Sequence, residues 1–130
     1  MGKINYYKNR IISGNKIILR PLEKSDLITC LKWLSDPDVN KFLSNNIKNL
    51  TEEQENEWLN YIRKSEKEII FAINIKKTGE YIGNCGLNKI ERTGKTCEFG
   101  IFIGEKKHWD KGYGTDATKT IIDFALYKLG

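Results

Sequence analysis

The stretch from Cys97 to Ala117 holds the residues best suited to chemistry. In it, Glu98-Phe99-Gly100-Ile101-Phe102-Ile103 runs through Gly104 and a basic segment into Trp109-Asp110-Lys111-Gly112-Tyr113-Gly114-Thr115-Asp116-Ala117. A β-branched run feeds a glycine-bearing loop, and the loop opens a helix. At a helix N-terminus several backbone N–H groups lack intrahelical partners and the macrodipole is positive, so an anion such as a pyrophosphate is held there by backbone alone. Gly112 and Gly114 let that backbone come close to phosphate oxygens, and Lys106, Lys107 and Lys111 add positive charge. The spacing Gly112-x-Gly114-x-x-Ala117 matches the dinucleotide fingerprint in form. That motif needs a parallel βαβ unit and an acidic residue about 20 positions on, and here 13 residues follow Ala117. A Walker A loop does not match this loop, because Lys111 precedes its glycine where that motif needs a lysine directly after one. Two further groups stand out: Glu98, a carboxylate for proton transfer, and His108, the one histidine, for which no acid partner is indicated by spacing.

The elements that must position these residues follow from periodicity. Lys16 to Arg20 reads as a strand stopped by Pro21. Ser25 and Asp26 can cap a helix with Leu27, Ile28, Leu31 and Leu34 on one stripe, ended by Asp36-Pro37-Asp38. Thr51-Glu52-Glu53-Gln54 is a capping-box pattern opening a helix to about Lys64, whose Lys/Glu-rich face from Glu52 to Glu68 reads as solvated. The period then changes from 3.6 to 2. Ile69–Ile75, Tyr81–Ile90 and Thr96–Ile103 are expected as antiparallel strands joined by turns at Gly79 and Gly94. Pairing Arg92 with Lys95 sets Glu98 opposite Lys89, Cys97 opposite Ile90 and Cys85 opposite Phe102. Glu98 is then either a cross-strand ion-pair residue or a base. A last helix runs from Tyr113 with Ala117, Thr120, Ile121, Phe124 and Ala125 on one face, closing at Gly130. The order β-α-α-β-β-β-α has no repeat and no boundary, so residues 1–130 are expected to form one domain.

Composition bounds the reading. The 130 residues are 39% hydrophobic and 30% charged, with 22 Lys+Arg against 17 Asp+Glu and a net charge of +5. Such a chain is too apolar for disorder, and no apolar run approaches the ~20 residues of a membrane span. The N-terminus shows no secretory h-region, which gives a cytoplasmic expectation. Cys30, Cys85 and Cys97 lack metal-ligand spacing and, with His108 alone, make no zinc set, so no metal is expected and the thiols are read as reduced and mostly buried.

The residues carry a resemblance. Leu19-Arg20-Pro21-Leu22 with Asp26, Trp33 with Asp36-Pro37, the Gly79 and Gly83 region, and above all Glu98-Phe99-Gly100-Ile101 leading to Trp109-Asp110-Lys111-Gly112-Tyr113-Gly114-Thr115-Asp116-Ala117 resemble the GNAT superfamily of N-acetyltransferases. Within it the likeness is to the branch of ribosomal-protein N-terminal and spermidine acetyltransferases, over residues 16 to 130. It implies an α/β (α+β) fold: a mixed, mostly antiparallel sheet flanked by helices, which in the family continues past the phosphate-binding helix with a further strand, a helix and a hairpin. It implies acetyl-CoA or CoA as cofactor, with the pantetheine arm along Ile101, Phe102 and Ile103. The pyrophosphate would lie against Trp109, Asp110, Lys111, Gly112, Tyr113, Gly114 and Thr115. Trp109 stands where the superfamily commonly has Gln or Arg. The implied reaction is direct attack of a primary amine (a peptide N-terminus, a polyamine or a small amine) on the thioester, with Glu98 where relatives often carry the base. Trp33 and Phe42, with Trp58 and Tyr61, would line the acceptor groove, against a core-packing alternative for the same residues. A non-catalytic acyl-CoA-binding module is the second reading. A nucleic-acid-binding module is the third, with no aromatic-interleaved basic motif behind it. Oligomeric state is open, a homo-oligomer included, and no membrane partner is expected.

Overall fold

The computed structural model of the chain describes residues 2–41, 51–91 and 93–129. The elements in chain order are α1 (Gly2–Tyr7), β1 (Ile12–Ser13), β2 (Ile17–Pro21), α2 (Asp26–Leu34), α3 (Pro37–Asn40), α4 (Glu52–Lys64), β3 (Ile69–Ile75), β4 (Tyr81–Glu91), β5 (Thr96–Ile103) and α5 (Tyr113–Phe124). A 3-10 turn at Lys106–His108 precedes α5, and a π turn at Ala125–Leu129 follows it. The strands form one sheet in the order β1-β2-β3-β4-β5, with every described pairing antiparallel.

Alternation along the strands divides the core between the two faces of the sheet. Leu19, Phe71, Ile73 and Cys85 turn to one face, where Ile121 and Phe124 of α5 and Ile4 of α1 cover them. Ala72 turns to the other, under Leu22, Leu27 and Leu59 from the α2 and α4 side. Arg20 fixes where β2 hands over to α2. Its guanidinium grips Asp26 at two points, Nη1–Oδ2 and Nη2–Oδ1, both 2.8 Å, and donates from Nε to Asn74 at 3.1 Å. The Leu-Arg-Pro-Leu entry with its later aspartate is thus a bidentate ion pair tying strand to helix.

Several expectations are corrected. Ser25 makes no side-chain cap bond; Asp26 is drawn into the pair with Arg20 and accepts the Glu23 N–H at 2.8 Å. Ile28 points to solvent. The Thr51 capping box forms as expected, Gln54 N–H to Thr51 Oγ1 at 3.1 Å and Thr51 N–H to Gln54 Oε1 at 2.9 Å. Glu55 is not solvated: it sits at 3% exposure on the stripe it shares with Leu59 and Ile62. The β4–β5 register places Glu98 opposite Asn88 and Cys85 opposite Ile101. The shift comes from an irregularity between Asn88 and Glu91, where Lys89 adopts φ 50, a local insertion that hairpin counting from the turn does not contain. Cys30 and Cys85 are buried and Cys97 is exposed, all three free. The helix α1 has no counterpart in the sequence reading. No described helix is long and apolar enough to cross a membrane.

Candidate functional site: a strand edge leading to a helix N-terminus

β5 is the last strand of the sheet, so among the described residues one of its edges is unpaired. Gly104 N–H donates to Ile82 O on β4 at 2.7 Å. Backbone groups alternate in direction along a strand, so Phe102 and Gly100 also turn toward β4 while Ile101 and Ile103 turn N–H and C=O to the open edge. Trp109 confirms the direction, because its indole Nε1 donates to Ile103 O at 2.7 Å. The Ile101 and Ile103 side chains pack on the core beside α5, and Phe102 lies on the opposite face, edge-on to Trp33.

From that edge the chain turns through Asp110 at φ 61 and Gly112 at φ 84, both left-handed, and α5 begins at Tyr113. The first helical bond runs from Asp116 N–H to Gly112 O at 3.0 Å, which leaves the Tyr113, Gly114 and Thr115 amides at the orphan end of the helix. At Gly112 the left-handed φ disfavours any L side chain, and a Cβ would also stand 2.9 Å from Lys16 Nζ. At Gly114 a Cβ would meet only Ile103 Cγ1 at 3.7 Å, an ordinary contact. The packing of the protein therefore does not itself require a glycine at position 114.

The charges around the loop divide in a way the sequence did not reveal. Lys106 is held by Asp36 at 2.8 Å and Asp38 at 3.0 Å. Those contacts raise its pKa, and its hydrogen bond to Asp36 lowers that carboxyl. Lys107 meets Glu80 at 3.3 Å and Glu105 at 4.0 Å. Lys111 has no ion-pair partner among the described residues, and Lys16, just ahead of the distant β2, brings its ammonium to Lys111 O at 3.3 Å. The cations at the loop are thus Lys111 and Lys16. Asp116 accounts for the position of Lys16: its carboxylate accepts the backbone N–H groups of Lys16 at 2.8 Å and Ile17 at 3.1 Å, clamping the β1–β2 hairpin to the first turn of α5.

Trp33 lies at 4% exposure directly under Gly104, where a Cβ would stand 2.0 Å from the indole, and its Nε1 donates to Glu105 at 2.8 Å. Its place is beneath the loop rather than on an open wall. Trp58 packs partly buried with the α2 and α4 cluster, Tyr61 is exposed, and Phe42 lies outside the described residues. Glu98 is 59% exposed on β5, with Oε2 3.3 Å from Lys89 Nζ. The ion pair anticipated from spacing exists despite the changed register. Burial pushes the Cys30 and Cys85 thiols up to about 12, so neither supplies a thiolate nucleophile near neutral pH. His108 has an acid partner after all, Glu80, 2.9 Å from its Nε2. The β3–β4 turn carries Glu80 there, and no local spacing could show it.

In this α+β domain an open strand edge runs into the amide-lined start of a helix, with two cations beside it. The chain belongs to the GNAT acetyltransferase family, whose acetyltransferase domain it matches over residues 16–130. The uncharacterized N-acetyltransferase p20 of Bacillus licheniformis is 30% identical over 118 residues, which is 88% of this chain and 65% of that protein. A GNAT-family acetyltransferase structure from Bacillus anthracis superposes with a TM-score of 0.75 at 20% identity, covering 92% of this chain and 68% of that one. A spermidine N-acetyltransferase from Vibrio cholerae, solved with CoA and spermine, superposes with a TM-score of 0.76 at 21% identity, over 88% of this chain and 66% of that one. At these identities the structures establish the fold. The chain spans about two thirds of the length of these relatives.

Proposed function

We propose that the chain is an acyl-CoA N-acyltransferase domain that binds acetyl-CoA along the open edge of β5 and at the start of α5, and passes the acetyl group to a primary amine. One observation carries the reading: the outward N–H and C=O of Ile101 and the outward N–H of Ile103 lead, past the Ile103 carbonyl that Trp109 covers, to left-handed Gly112 and the amides of Tyr113 to Thr115. The edge groups match an amide-bearing pantetheine arm laid down as an extra strand, and the helix start matches a diphosphate flanked by Lys16 and Lys111.

Acetyl-CoA supplies an activated thioester. The edge of β5 holds it extended, and a β5 backbone N–H stabilises the charge developing on the carbonyl oxygen. The amine nitrogen forms the new bond to carbon as the carbon–sulfur bond breaks, and CoA leaves as its thiolate, which takes a proton from solvent. Glu98, through water, takes the proton that the ammonium gives up. The acceptor class is a peptide N-terminus, a polyamine or a small amine. A cytoplasmic setting accords with three free thiols. A second reading, binding without turnover, has one observation in its favour, the engagement of Glu98 by Lys89.

Calorimetric titration with acetyl-CoA and CoA, followed by thiol release with a panel of amines, tests both. Saturable binding and amine-dependent thiol release support the transferase, and binding alone supports the second reading. No binding removes both. In a turning-over preparation, Glu98→Gln lowers the rate at saturating substrate and changes its pH profile. An unchanged rate and profile would reduce Glu98 to an ion-pair residue.

A further inference from the structure

His108 and Glu80 have no part in the reaction described above, yet their geometry is specific. Glu80 stands at the end of a well-braced turn: Gly79 N–H donates to Ile75 O at 2.8 Å, Ile75 N–H to Glu80 O at 2.8 Å, and Asn74 Nδ2 to Gly79 O at 3.0 Å. From that base its Oε1 reaches His108 Nε2 at 2.9 Å, and its Oε2 meets Lys107 at 3.3 Å. The His108 ring, 15% exposed, lies edge-on to Tyr113, the first residue of α5, with centroids 5.6 Å apart. Its Nδ1 is buried without a partner. With a proton on Nε2 the ring donates to Glu80, whereas a proton on Nδ1 would be a buried N–H with nothing to accept it. The charged and titratable groups around the ring are Glu80 and Lys107, with Glu105 behind Lys107 and the Tyr113 hydroxyl on α5. A ring that buried, bound to Glu80 at one nitrogen and packed on Tyr113, bridges the β3–β4 turn to the first residue of α5.

We propose that Glu80 and His108 are a positioning pair for the phosphate loop. The β3–β4 turn anchors Glu80, Glu80 anchors the imidazole, and the imidazole sets the path from Trp109 to Tyr113 that aims the α5 amides at an anion. The inference rests on the reading of that loop as the CoA diphosphate site. It adds that a hairpin turn, which supplies no ligand contact itself, sets the affinity of that site.

The test compares the wild-type chain with Glu80→Ala, His108→Ala, the double variant and His108→Gln, in two measurements. One is the CoA dissociation constant. The other is amide hydrogen exchange over residues 109–115 in the ligand-free protein. Each alanine variant is expected to weaken CoA about tenfold, the scale of one hydrogen bond to a charged group, and to speed exchange in the loop. The double variant should be no worse than either single one, because both remove the same bond. His108→Gln, whose amide N–H can donate to the same carboxylate, restores most of the affinity and the slow exchange. Wild-type affinity and exchange in His108→Ala overturn the proposal. So does an additive double variant, or a glutamine that fails to rescue, since ring packing rather than the bond would then be at work. If the wild type itself does not bind CoA, the diphosphate reading fails, while the exchange measurements still uphold or overturn the pair by the same pattern.

Discussion

Glu55 shows how one position can escape its own composition. It lies among Glu52, Glu53 and Glu57, yet helical spacing puts it in line with Leu59 and Ile62, and packing closes over it. Its Oε2 is buried without a hydrogen-bond partner, and burial raises its pKa. A raised carboxyl pKa means that the folded state holds the proton more tightly than the unfolded one. The stability it contributes is complete below the unfolded value, about 4.3, and is lost as pH rises through the folded value. Glu55→Gln, which cannot ionise, should therefore raise the melting temperature at pH 8 and have little effect at pH 4. Thermal melts of both proteins at the two pH values check this; an equal shift at both would mean that the carboxylate is not paying a burial penalty. Glu80 is shifted the other way, held below the ordinary carboxylate range mainly by the hydrogen bond from His108. Its contribution is present above the unfolded value and lost as pH falls through the folded one.

The helix that opens the proposed phosphate site is held in place by a hairpin from the far end of the sequence. Asp116 satisfies the Lys16 and Ile17 amides; Lys16 is exposed, but Ile17 is fully buried, so its N–H has little water to fall back on. Asp116→Ala should cost about 1–3 kcal/mol of folding stability by orphaning them. Because the same clamp brings the Lys16 ammonium to the loop, CoA affinity should fall with it. Urea unfolding and CoA titration of the variant check the two effects, and a loss of affinity without loss of stability would assign Asp116 to the ligand instead. The strand side of the site has an equivalent in Gly104, where the indole of Trp33 fills the space a side chain would need. The early helices thus support the loop from below.

As a molecule, the chain should register its ligand in its stability. A ligand that binds only the folded state stabilises it by about 2.7 kcal/mol at one hundred times its dissociation constant. CoA should accordingly raise the melting temperature progressively with concentration. Gly114→Leu separates fold from site, since the protein leaves room for a Cβ at that position while a diphosphate would not. The variant is expected to melt within a few degrees of the wild type without ligand and to show no CoA-dependent rise. A normal rise in Gly114→Leu would remove the loop from the binding site.

The alternation from Ile69 to Ile103, the Thr51 capping box and the apolar stripe of α5 are local signals, and each formed its element because side-chain period alone decides which face can be buried. The glycines before α5 were legible for the same reason, since a left-handed turn and an orphan helix end are properties of a few consecutive residues. What required the tertiary structure is every pairing across distance. Lys16 lies 95 residues from the loop carbonyl it reaches, and Glu80 lies 28 from the histidine it binds. The short α1 is a helix because Ile4 is buried in the core and Tyr7 packs on Phe124, and its own six residues are far too few to be stable alone. The register of β5 was missed by one residue because a single left-handed lysine, Lys89, interrupts the count. Sequence period determines which face of an element is buried; only the packed sheet decides which distant charge arrives beside it, because that depends on the sum of all the turns between them.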